Sequence, residues 1–221
     1  MIKNRIAQVV FQTVYCVLGL LGLLSSLGYF NADFNNEFYV YYTNLSNYIC
    51  IGVMAVMLVR TVKSASKKQD GFCDTAPTFN FMCLIMIMVT FLVYNILLAV
   101  ENTVTEYFTS MSIMIMHVIL PVMFILNWIL FYEHGKMKWY QPLLCLIMPL
   151  AYVAFILIRA QILGNATDAV IYPYFFLNVN ELGWGGFFRW IAILLVIFDA
   201  IGYLFFALDH IKTIKRKLKK S

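Results

Sequence analysis

SMSIMIMHVILPVMFILNWILF, from Ser110 to Phe131, runs for 22 residues without one Asp, Glu, Lys or Arg. At 1.5 Å per residue a helix of this length covers roughly 33 Å, enough to cross a hydrocarbon core of about 30 Å. A bilayer offers the backbone no hydrogen bonds, so a spanning segment satisfies its own as a helix. Five further apolar runs of similar length flank this one, at residues 6–26, 38–59, 78–100, 142–163 and 184–208, and the connections between them are short. The expected fold is all-α: a single membrane domain of six transmembrane helices over residues 1–221.

Composition agrees. Hydrophobic residues make up 62% of the chain and charged residues 12%, against about half and roughly a quarter in soluble domains. The start resembles a secretory signal, with Lys3 and Arg5 ahead of an apolar run, but that run is too long and lacks a small-x-small cleavage site, so it reads as the first span. The five cysteines (Cys16, Cys50, Cys73, Cys83 and Cys145) form no CxxC and no Cys/His cluster with zinc spacing. They read as small packing residues, and neither a metal nor a cofactor is expected.

Charge sets the orientation. Lys3, Arg5, Arg60, Lys63, Lys67, Lys68, Lys136, Lys138 and the six basic residues from Lys212 to Lys220 all fall on alternate connections and the two termini. The opposite loops carry Asp33, Glu37, Glu101, Glu106, Asp168 and Glu181 and no basic residue. Positive charge stays in the cytoplasm, which places both termini there. The basic tail is a topology signal that touches anionic lipid headgroups. It is short and abuts a span, which sets aside nucleic acid as a partner. The longest outer loop, residues 164–183, is rich in aromatic rings and reads either as an interfacial anchor or as a lid.

Polar residues inside the spans gather in one layer of the outer half: Thr43, Asn47, Asn95, His117, Arg159 and Arg189. Thr43 and His117 lie roughly 7 and 10 Å below the outer ends of their spans. A polar group in lipid is costly and is a functional candidate by default. A threonine hydroxyl becomes a nucleophile when a base takes its proton, and histidine is the usual base. Thr43 and His117 are therefore the candidate catalytic pair, against the plainer reading of both as helix-packing groups. Asn47, Asn95 and Glu101 are candidates to orient the imidazole, with Asn47 also a candidate oxyanion donor. Arg159 and Arg189 read either as snorkelling to the headgroups or as holding an anionic group of a ligand. Deeper, Asn127 and Asp199 lie at similar levels and suggest a structural pair between spans four and six. Glu133, His134 and His210, at the cytoplasmic ends, read as solvated.

Three segments carry a family resemblance. Phe38-Tyr-Val-Tyr-Tyr-Thr43-Asn-Leu-Ser-Asn47 resembles the F-T-x-x-S-N entry to span two of the bacterial Pr6Pr membrane proteins. His117-Val-Ile-Leu-Pro121, with Asn127-Trp128 after it, resembles their H-x-x-x-P, and Tyr172-Pro-Tyr-Phe-Phe-Leu177 resembles their Y-P-Y-x-F-L outer loop. That family is similar to the animal androgen-induced and androgen-dependent TFPI-regulating proteins, six-span threonine hydrolases of fatty acid esters of hydroxy fatty acids. The resemblance implies a bacterial plasma-membrane hydrolase with Thr43 as nucleophile, His117 as base, and a lipid or fatty-acyl ester as substrate. The rival readings are a small lipid or solute transporter and a non-catalytic membrane scaffold.

The charge asymmetry is directly testable. Cysteines introduced near Asp33, Glu106 and Asp168 are expected to react with an impermeant thiol reagent in sealed cells, and cysteines near Lys67 or Lys136 are not. The opposite labelling pattern would invert the topology.

Overall fold

A computed structural model describes residues 2–31, 34–67, 76–98, 110–164 and 169–218. Six helices in it are long and apolar enough to cross a membrane: α1 (Arg5–Ser26), α2 (Tyr42–Ser66), α3 (Pro77–Leu97), α4 (Met111–Phe131), α5 (Gln141–Leu163) and α6 (Val179–Ile211). No strand occurs among the described residues. The protein is an all-α, multi-pass membrane protein, with span positions close to those read from hydropathy. Lys63, Lys136 and Lys138 mark the basic end of the bundle, and Glu37 and Glu181 the acidic end.

Besides α2, which continues past Val59 to Ser66 because the helix outruns its apolar segment, two helix starts differ from the sequence reading, each for a local reason. α2 starts at Tyr42 rather than Phe38, because Glu37 to Val40 closes a turn in which the Val40 amide donates to the Glu37 carbonyl at 3.0 Å. α6 begins at Val179 but breaks at Gly183, whose φ of 63° suits a residue without Cβ. The uninterrupted span therefore runs on from Trp184.

α1 shows how the bundle is built. Its outward face carries the exposed Ile6, Val10, Val14, Val17 and Leu20, while its buried face reads Arg5, Gln8, Gln12, Tyr15, Gly19 and Gly22. Those spacings of three and four make one helix face. The pattern reverses that of a soluble helix, since lipid solvates the apolar side. Gly19 and Gly22 permit close helix approach: a Cβ on Gly19 would meet Ile51 of α2 at 2.7 Å, and one on Gly22 would meet Ile115 of α4 at 2.7 Å.

At the basic end, Asp209 of α6 is buried and ties down the α4–α5 connection. It accepts from the Gly135 amide at 2.9 Å and the Met137 amide at 3.1 Å, and it lies 3.1 Å from His134 Nδ1. His134 is thus a partner of Asp209 and not a solvated group. Glu133 pairs with Lys136 at 2.8 Å, and His210 contacts the Phe206 carbonyl at 3.0 Å.

The anticipated Asn127–Asp199 pair does not form. Asn127 shares its face of α4 with Phe124 and Phe131, whose rings meet Tyr15 and Phe11 of α1 at 6.0 and 5.6 Å. The neighbouring Trp128 turns to Phe205 of α6 instead, at 5.3 Å. Asn127 therefore faces α1, and the Asp199 Oδ1 stays without a hydrogen-bond partner.

Replacing Asp209 by Ala leaves two half-buried amides without acceptors, and is expected to lower stability by roughly 2 kcal/mol. Asp209→Asn keeps one acceptor oxygen and is expected to lose about half as much. Unfolding in mixed micelles measures both, and an unchanged midpoint for Asp209→Ala would remove the anchor.

Candidate functional site

The polar layer is organised by a distortion in α4. Residues Ile115–Ile119 form a π turn, in which the Leu120 amide reaches back five residues to the Ile115 carbonyl. In a regular helix it would bond the carbonyl of Met116, which is thereby released. Pro121 follows, and a proline has no N–H to give the carbonyl four residues before it. That carbonyl belongs to His117. Two adjacent carbonyls in the membrane thus lose their helical donors.

Asn47 and Asn95 supply replacements. Asn47 Nδ2 on α2 donates to the Met116 carbonyl at 2.9 Å, and Asn95 Nδ2 on α3 donates to the His117 carbonyl at 3.3 Å. Each also bonds its own helix: Asn47 to the Thr43 carbonyl at 2.8 Å, Asn95 to the Phe91 carbonyl at 2.7 Å. Asn95 itself sits in a second π turn, Tyr94–Leu98. π turns inside helices frequently mark functional sites. The two asparagines therefore brace the backbone on either side of His117 rather than holding its ring, and the Asn47 Oδ1 is buried without a partner.

The His117 imidazole lies flat on the Tyr94 ring, with centroids 3.6 Å apart and planes 8° from parallel. It is buried, and its Nδ1 has no hydrogen-bond partner. No motif in the sequence marks Tyr94. Its place one residue before Asn95 was the available signal.

Thr43 lies in the first turn of α2, where backbone amides lack intrahelical acceptors. Its amide donates to the Tyr174 hydroxyl at 3.4 Å, and that hydroxyl also engages the Thr43 side chain. Burial is the main influence on this phenol and pushes its pKa up to about 12, so it stays a neutral hydroxyl near pH 7. Ser46 donates to the Thr43 carbonyl at 2.9 Å, and its hydroxyl is 2.6 Å from that of Thr90 on α3. α2 and α3 are thereby joined beside the asparagines that hold α4.

Thr43 also lines an apolar cavity of about 60 Å³ between α2, α3, α5 and α6, walled by Val89, Val93, Pro149, Leu194 and Phe198 and covered by Tyr174 and Phe176. His117 is not among the lining residues. The loop before α6 does two things. Tyr174, Phe176 and Leu177 are buried over the cavity, while Phe175 and the nearby Trp184 point outward. Tyr152 of α5 joins the cover by donating to the Val40 carbonyl at 2.7 Å.

The two arginines part ways. Arg159 is buried, pairs with Glu37 at 2.6 Å and donates to the Val170 carbonyl, with Tyr39 under its guanidinium at 5.8 Å. Its anionic partner is thus within the chain, and it clasps both described acidic-end loop segments to α5. Arg189 is exposed on α6, as a snorkelling residue is. Glu101 lies outside the described residues. No cluster of three His, Cys, Asp or Glu side chains converges among the described residues. The cysteines Cys16, Cys50, Cys83 and Cys145 are free thiols.

Comparison of the chain with protein-family models, curated proteins and solved structures finds no match in any of the three.

The bracing of α4 predicts a coupled pair. Asn95→Ala is expected to cost about 1 kcal/mol. In a Pro121→Ala background the restored amide can serve the His117 carbonyl, and the same substitution is expected to cost less than half as much. Equal costs in both backgrounds, measured as a double-mutant cycle, would show that Asn95 does not replace the missing donor.

Proposed function

We propose that the protein is a membrane-embedded hydrolase of a lipid ester, with Thr43 as nucleophile and His117 as base. The observation that carries the reading is the position of Thr43. A buried hydroxyl stands in the first turn of a helix, on the wall of an apolar cavity, under an aromatic cover. One asparagine side chain links its backbone to the turn that bears His117. An acyl chain suits an apolar wall, and the ester group would meet the hydroxyl at the edge of the polar layer. The first-turn amides of α2 carry the positive end of the helix dipole and favour a developing oxyanion.

In this reading His117 takes the Thr43 proton, and the Thr43 oxygen attacks the ester carbonyl. The alcohol leaves with that proton. The acyl-threonine is then cleaved by water, which releases the acid and restores the hydroxyl. The acyl chain would lie against this apolar wall, beneath the Tyr174–Phe176 cover. The resemblance to the Pr6Pr proteins supports a fatty-acyl ester as substrate and a bacterial plasma membrane as location. The basic-end charge supports cytoplasmic termini, which would put the cavity in the outer leaflet. No cofactor takes part.

A second reading has its own observation. His117 does not line the cavity, as befits a protein that binds a lipid without cutting it.

A hydrolase-directed acylating probe and a panel of medium- and long-chain acyl esters separate the two. Thr43→Ala is expected to abolish probe labelling, and Thr43→Ala, His117→Ala and the double variant to lose turnover to the same extent, because a dyad acts as a unit. Thr43→Ser is expected to retain part of the activity. Equal turnover by wild type and Thr43→Ala defeats the nucleophile assignment. Inert wild type that still binds the esters supports the binding protein.

A further inference from the structure

Five buried polar atoms in the other half of the bundle have no partner. They are the Oε1 and Nε2 of Gln12, the Oδ1 and Nδ2 of Asn127, and the hydroxyl of Tyr15, and all three residues are completely buried. The ring contacts fix their relative level. Phe11 meets Phe131 and Tyr15 meets Phe124, so Gln12, between Phe11 and Tyr15, faces Asn127, between Phe124 and Phe131. The two amides are thus opposed across the α1–α4 seam without hydrogen-bonding each other.

We propose that this seam is an internal site for ordered water, a small cluster held by Gln12, Asn127 and Tyr15. A polar group sealed from solvent needs a partner, and a buried water typically makes about three hydrogen bonds. The five atoms include both donors and acceptors, which suits water, since water is both. A metal cation fits poorly. Two of the groups are NH₂ donors, and the Arg5 guanidinium lies farther along the same face, toward the basic end. Arg5 donates to Gln8 Oε1 at 2.8 Å, and both are buried on the stripe that continues to Gln12. Beyond Gln12, Tyr15 shares a core cluster with Cys50, which lies one turn of α2 from Asn47. The site stands independently of any hydrolase activity.

Radiolytic hydroxyl-radical footprinting in nanodiscs tests the site, because bound water generates the radical in place and marks its neighbours. Tyr15 is completely buried, so in a dry core it should stay unmodified. The expected result is clear oxidation of Tyr15 in wild type and about a fivefold fall in the Gln12→Leu/Asn127→Leu variant, whose apolar side chains need no water. Should that variant fail to fold, Gln12→Met alone must lower the labelling at least twofold. An unlabelled Tyr15 in wild type overturns the proposal, as does labelling that the substitutions leave unchanged. Labelling that shifts when sodium is exchanged for potassium or choline assigns the seam to a cation and also overturns it.

Discussion

A bilayer gives the backbone no hydrogen-bond partners, and this constraint is felt most sharply at two carbonyls of α4. Pro121 removes the donor of one, and the π turn removes the donor of the other. Side chains from α2 and α3 replace them. The pairwise arrangement of three helices follows, because the two asparagines fix both the depth and the rotation of α2 and α3 against α4. Thr43 then inherits its position, one helical turn from Asn47 on the same face, and so does the cavity it borders.

The acidic end answers the same constraint with different chemistry. α2 opens without a side-chain cap of its own, and Tyr174 provides the acceptor from far along the chain. The Arg159–Glu37 pair and the Tyr152–Val40 bond hold the neighbouring loop segments in place. The result is an aromatic cover rather than a floating interfacial anchor, although Phe175 and Trp184 still face outward. The cover is held by few polar contacts and by stacked rings such as Tyr174 on Phe176, 5.0 Å apart.

The six spans were legible because length and apolarity are properties of a segment by itself. Most helix ends were legible to within a few residues; the exceptions lay where a turn or a glycine intervened, at Glu37–Val40 and Gly183, and where α2 outruns its apolar segment to end at Ser66. The polar layer was legible as a level but not as a set of bonds. Pro121 does announce that the His117 carbonyl lacks a donor, four residues back, and Asn95 could have been matched to it. The π turn gives no sequence signal, so the role of Asn47 as a brace was hidden. The pairing of Arg159 with Glu37 spans 122 positions, and no local pattern reports such a contact. The stripe Arg5, Gln8, Gln12 and Tyr15 is plain at spacings of three and four. Charge near a terminus reads first as a topology signal, and this masks the buried face that the stripe continues. Asn127 was matched with Asp199 on depth alone, and depth does not determine which side of a helix a residue occupies.

The Tyr174 hydroxyl and the Thr43 amide are 131 positions apart in the chain. Synthesis proceeds from the N-terminus at about 5–20 residues per second, so Tyr174 is made on the order of ten seconds after Thr43. Over that interval α2 enters the membrane with its first turn uncapped, and the cavity, whose wall includes α6, is not yet formed. The layer around Thr43 thus stays incomplete until the second half of the chain has been made. A chain released before residue 174 would hold most of its helices while the hydroxyl of Thr43 stood open to the lipid and water around it.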